Sequence, residues 1–87
     1  MVDFNSLHQL TKNLNVLYIE DDKNFRDETK DLFENIFKSV DIAFDGEMGL
    51  SLYKQYFKNY FSYYDIVITD ISMPKMDGIE LIKSIYP

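Results

Sequence analysis

The chain contains no cysteine. That excludes a disulfide framework and any thiolate metal centre, and it fits a reducing compartment. No apolar run approaches the roughly 20 residues that a membrane-spanning helix requires. The opening Met1-Val2-Asp3-Phe4-Asn5 lacks the basic segment followed by an apolar stretch that marks a secretory leader. Low-complexity tracts, internal repeats and linkers are missing too. Positive charge is scarce: 9 basic residues stand against 15 acidic ones, a net charge of -6. Such a field repels a polyanion, so direct nucleic-acid binding by this segment is not expected. The expected setting is the cytoplasm, with no membrane association.

What is present suits one small domain. At 87 residues a core can form with a thin margin, and a hydrophobic fraction of 46% is too high for a disordered chain. Asn5 to Asn13 reads as a short helix, with Ser6 and Gln9 at capping-box spacing and Leu7, Leu10 and Leu14 at helical intervals. Val16-Leu17-Tyr18-Ile19 is a short run of strand formers that ends abruptly in Glu20-Asp21-Asp22. From Lys23 to Phe37, the positions of Phe25, Leu32, Phe33, Ile36 and Phe37 predict a helix with one face on the core. Val40 to Phe44 alternates as a second strand, and a second helix is expected from about Glu47 to Tyr60. Ile66-Val67-Ile68 is a third strand, apolar throughout as in a sheet covered on both faces. Asp77, with Glu80 three residues on, opens a third helix. Strands alternating with helices imply an α/β fold with a parallel sheet and right-handed crossovers.

In an open parallel sheet, ligands bind outside the carboxyl ends of the strands. Two of these ends carry acids: Glu20 and Asp21 after the first strand, Asp70 after the third. If those strands are neighbours, the three carboxylates converge. A pair about 4 Å apart repels by roughly 4 kcal/mol at an effective dielectric near 20. Three ionised pairs would cost on the order of 10 kcal/mol, comparable to the whole stability of a small domain. A proton or a metal must offset this, and hard oxygen donors without thiolate or imidazole favour Mg²⁺. Each of Glu20, Asp21 and Asp70 alone reads best as a helix cap that stays solvated; taken together with the loop after Asp70 they read as a cation site. Asp22, at the start of a helix, reads best as a cap. The stripe of Tyr53, Tyr56, Phe57, Tyr60, Phe61 and Tyr64 reads mainly as core packing, with a partner-binding face as the lesser reading. His8, the sole histidine, and Lys75 read as surface residues.

The stretch Val67-Ile68-Thr69-Asp70-Ile71-Ser72-Met73-Pro74-Lys75-Met76-Asp77-Gly78 resembles the signature around the phosphoacceptor aspartate of bacterial response-regulator receiver domains. Val16-Leu17-Tyr18-Ile19-Glu20-Asp21-Asp22 resembles the strand and acidic cluster of that family, and Asp45-Gly46-Glu47 is a weaker third match. The resemblance implies a three-layer flavodoxin-like fold, here three strands in the order 2-1-3 with three helices, over residues 15–87, preceded by an extension over residues 1–14. It implies that Asp70 attacks the phosphorus of a phosphohistidine on a sensor histidine kinase and becomes an acyl phosphate. Asp21 and Asp70 would be carboxylate ligands of Mg²⁺, Glu20 would act through water, and the backbone carbonyl of Ser72 would add a further ligand. Met73-Pro74 would shape the loop, and Asp77 and Gly78 would start the third helix. The family often has aspartate where Glu20 stands.

The sequence stops at Ile85-Tyr86-Pro87, before the fourth and fifth strands of the family's 2-1-3-4-5 order. The Ser or Thr and the Lys that contact the phosphoryl group in the family have no counterpart here. The segment is therefore expected to be a phosphoacceptor, not an enzyme, and by itself to have little or no activity. It is also expected to form a homodimer through the Ile66-Val67-Ile68 edge or the third helix. The alternative is a pseudo-receiver, a protein-interaction module that is never phosphorylated. A haloacid-dehalogenase-type phosphatase would want a second aspartate two residues after Asp70, where Ser72 stands.

Overall fold

The computed structural model describes residues 4–69 of the chain. Within that span the order is α1 (Phe4–Thr11), β1 (Asn15–Ile19), α2 (Lys23–Ile36), β2 (Ser39–Ala43), α3 (Gly46–Tyr60) and β3 (Ile66–Thr69). Each element lies within about two residues of its expected place. The helix expected from Asp77 lies outside the described residues.

The three strands form one parallel sheet in the order β2-β1-β3. Asn15 to Ile19 pair with Ser39 to Ala43 on one side, and Val16 to Ile19 pair with Ile66 to Thr69 on the other. Val16, Leu17 and Ile19 are wholly buried and Tyr18 nearly so, as a central strand covered on both faces requires. Alternate residues serve opposite faces. Leu17 and Ile19 join Ala43, Tyr53 and Tyr64 in the core beneath α3. Tyr18 points the other way and meets the ring of Phe33 on α2 edge-on, at 5.2 Å. The result is three layers, with α2 and α3 on opposite faces of the sheet.

Both long helices are started by an aspartate. Asp22 accepts a hydrogen bond from the Phe25 amide at 2.9 Å, and Asp45 accepts one from the Met48 amide at 2.8 Å. Each satisfies a backbone donor that the first helical turn leaves open. The short α1 is tied to the far end of α2, where the Thr11 hydroxyl donates to the Ile36 carbonyl at 2.9 Å. This places α1 at the amino-end of the sheet, away from the acids.

Three packing expectations need correction. On α2, Phe25 and Leu32 are 58% and 56% exposed, and the buried residue of the helix is Arg26. The inward line runs through Arg26, Phe33, Ile36 and Phe37, because Phe25 and Leu32 lie one position off it and an arginine stem fills the gap. In the aromatic stripe, Tyr53 and Tyr64 are core residues, whereas Phe57, Tyr60 and Phe61 are exposed. Phe61 caps α3 in the left-handed conformation, at φ 53°, which turns the chain away from the helix axis. Nor is β3 fully covered: all four of its residues are half-buried.

Candidate functional site at the carboxyl edge of the sheet

The parallel register fixes where the acids leave the sheet. Ile19 pairs with Ala43 on one side and Thr69 on the other. Glu20 directly follows Ile19, and Asp70 directly follows Thr69. The two strands that carry the candidate acids are thus neighbours, and they end at the same level.

Glu20 extends the ladder with β2, its amide donating to the Ala43 carbonyl at 3.1 Å. It is 7% exposed, so its carboxylate sits at a dry edge, whereas Asp21 is exposed. The Asp22 amide donates to Oε1 of Glu20 at 3.3 Å. Asp22 itself faces the helix, as its capping bond shows. Three successive acids therefore divide into two roles: Glu20 and Asp21 lie at the sheet edge, and Asp22 belongs to α2. Among the described residues, no three His, Asp or Glu side chains gather into a metal-sized cluster. Asp70 and Ser72, the other candidate ligands, lie outside the described residues, as do Met73, Pro74, Lys75, Asp77 and Gly78.

The donor chemistry available at this edge fits a hard divalent cation. Glu20 and Asp21 offer carboxylate oxygens, the chain has no thiol, and His8 lies on α1 at the other end of the sheet. A cleft of about 120 Å³ lined by Asp41, Leu52, Gln55, Tyr56, Asn59, Tyr60 and Tyr64 runs along β2 and α3, and neither Glu20 nor Asp21 lines it.

One residue at this edge has no signal in the hydrophobic pattern. Arg26, buried on α2, sends Nη1 to the carbonyl oxygens of Glu20 at 3.0 Å and Asp21 at 3.4 Å. Its guanidinium lies 4.4 Å from the ring centroid of Phe44, at the end of β2. The sequence displays an arginine at the end of the first turn of an amphipathic helix, which reads as a solvated charge until the loop geometry is known.

The described residues thus form a parallel α/β sheet with a buried glutamate and an exposed aspartate at its carboxyl edge. Comparison with known proteins shows the family to which this architecture belongs. The family model for the response regulator receiver domain matches residues 16–87. The chain is 33% identical over 72 residues to the transcriptional regulatory protein DltR of Streptococcus agalactiae, covering 83% of this chain and 30% of that protein. It is 34% identical over 77 residues to the chemotaxis protein CheY-3 of Vibrio cholerae, covering 87% of this chain and 55% of that protein. Among solved structures, a CheX–CheY–BeF3–Mg complex from Borrelia burgdorferi aligns with a TM-score of 0.62 at 33% identity, over 90% of this chain and 56% of that one. The chain belongs to the response regulator receiver domain family. It spans 30% of the length of DltR and 55% of that of CheY-3.

Proposed function

We propose that this receiver domain accepts a phosphoryl group on Asp70 from the phosphohistidine of a sensor histidine kinase, in the presence of Mg²⁺, as part of cytoplasmic two-component signalling. The observation that carries this reading is the register: Ile19 and Thr69 are paired across adjacent strands, and the next residues are Glu20 and Asp70. Asp21 and Asp70 would hold the metal, with Glu20 through water and the Ser72 carbonyl completing the protein's share. Mg²⁺ would supply charge neutralisation of the incoming phosphoryl oxygens. The chain's own part is to hold the carboxylates at one level, to keep Glu20 shielded, and to present the Asp70 carboxylate as nucleophile. The phosphorus–nitrogen bond of the phosphohistidine breaks as the bond from an Asp70 oxygen to phosphorus forms. The domain is then the acceptor in another protein's reaction and not a turnover enzyme.

Self-association belongs to the same proposal. β3 is the outer strand of the described β2-β1-β3 order, a position that suits pairing with a second copy. Beryllofluoride, which mimics a phosphoryl group on a carboxylate, tests the phosphoacceptor reading. Titration with Mg²⁺ and beryllofluoride should perturb the amides of Glu20 and Asp21 in the full-length wild-type protein beyond the effect of Mg²⁺ alone, and beryllofluoride should add nothing in Asp70→Asn. No perturbation in the wild type would instead support a pseudo-receiver.

A further inference from the structure

We infer that Arg26 is a positioning residue for the cation site, setting the Glu20 carboxylate through the peptide unit between Asp21 and Asp22; this rests on the metal-binding reading above. The buried guanidinium of Arg26 makes hydrogen bonds to the backbone of the two residues that carry the acids. A single nitrogen, Nη1, takes both consecutive carbonyls, at 3.0 and 3.4 Å. Two carbonyls drawn to one point fix the planes of the peptides that follow Glu20 and Asp21. The second of these planes has a further constraint. Its carbonyl oxygen, on Asp21, is held by Arg26, and its N–H, on Asp22, donates to Oε1 of Glu20 at 3.3 Å. The path from guanidinium to carboxylate is therefore one peptide group long.

Phe44 fixes the other side of the arginine. Its ring lies 4.4 Å from the guanidinium carbon, just after the end of β2. Arg26 thus spans α2, the turn after β1 and the end of β2. A guanidinium suits this place because its planar fork can donate in the plane while one face lies on an aromatic ring, which an ammonium cannot reproduce.

Two roles for Arg26 predict opposite signs, which makes the inference testable. A nearby positive charge repels a dication, so if charge alone mattered, removing it would tighten Mg²⁺ binding. If positioning dominates, removing it loosens binding, as loss of an outer partner of a metal ligand usually does, by about tenfold to a hundredfold. Mg²⁺ affinity and amide hydrogen exchange should be measured on the full chain carrying Arg26→Met, Arg26→Lys or Phe44→Ala. Arg26→Met keeps the apolar stem and removes donors and charge. It should weaken Mg²⁺ binding by about tenfold or more and speed exchange of the Asp22 amide in the metal-free protein. Arg26→Lys should recover part of both, and Phe44→Ala should shift both the same way by less. Equal or tighter Mg²⁺ binding in Arg26→Met overturns the inference. If Arg26→Met does not fold, Phe44→Ala decides by the same two readouts. The metal-free exchange separates the two levels of the argument. Unchanged Asp22 exchange in Arg26→Met overturns the positioning role even where Mg²⁺ binds. Faster exchange in a chain that binds no Mg²⁺ supports the positioned turn and contradicts the metal reading alone.

Discussion

Gly49 on α3 faces Ile19 on β1 so closely that a Cβ at position 49 would lie 2.5 Å from Cδ1 and 2.9 Å from Cγ1 of Ile19. Ile19 is wholly buried and is the last residue of the strand that delivers Glu20 to the edge. The helix approaches the sheet here because one residue has no side chain to hold it off. Gly49→Ala should cost about 1 to 3 kcal/mol through overpacking, despite alanine's better helix propensity. Denaturant unfolding checks this, and a variant as stable as the wild type would show that Ile19 can yield.

The two aspartate caps should be separable from the acids at the sheet edge. Asp22→Ala and Asp45→Ala each remove an acceptor from an amide in a first helical turn. Each should lower stability by about 1 kcal/mol. Asp22→Ala should do so without abolishing Mg²⁺ binding, because its carboxylate serves the helix. Loss of metal binding in Asp22→Ala would place that carboxylate in the cation site.

Tyr64 ties the chain before β3 to β2, its hydroxyl donating to Oδ2 of Asp41 at 2.6 Å while its ring stacks on Tyr56 at 4.0 Å. Burial pushes the Tyr64 phenol well above its ordinary range, and the hydrogen bond to Asp41 adds to that. The neutral form is therefore favoured in the folded state. An unfolded tyrosine loses its proton near pH 10, so the stabilisation is fully present below about pH 10 and is lost as pH rises further. Tyr56 is shifted the same way, chiefly by desolvation. Tyr64→Phe should cost about 1 kcal/mol at neutral pH and flatten the alkaline loss of stability. An unchanged alkaline limb would exclude Tyr64 as its source.

Much of this fold is legible in the sequence, because strand and helix periods are set by side-chain spacing. Val16 to Ile19 is apolar at each position and proves central, and the aspartates at 22 and 45 start the helices that follow them. What the sequence does not display is the difference between an apolar residue and a buried one. Phe25 and Leu32 are apolar and exposed, whereas Arg26 is charged and buried. The hydrophobic pattern does not distinguish them, since the choice depends on which face of α2 meets the sheet and on where the turn before it aims the carbonyls of Glu20 and Asp21. The level at which Glu20 leaves the sheet was likewise readable only as a conditional. It required β1 and β3 to be neighbours, and the pairing of Ile19 with Thr69 supplies that condition.

Asp21 should separate metal binding from folding. It is exposed, so its removal leaves no cavity, and it relieves repulsion among neighbouring carboxylates. Asp21→Ala should abolish Mg²⁺ binding while leaving metal-free stability unchanged or slightly raised. A metal titration with unchanged affinity, or a clear loss of metal-free thermal stability, would count against a shared cation site.

The most direct test of the account is the covalent one. The full-length protein is incubated with Mg²⁺ and a small acyl phosphate donor, and its intact mass is followed with time and after base treatment. The account predicts one base-labile phosphoryl group on the wild type, dependent on Mg²⁺, and none on Asp70→Asn. An Asp70→Asn protein that still gains one labile phosphoryl group would contradict it.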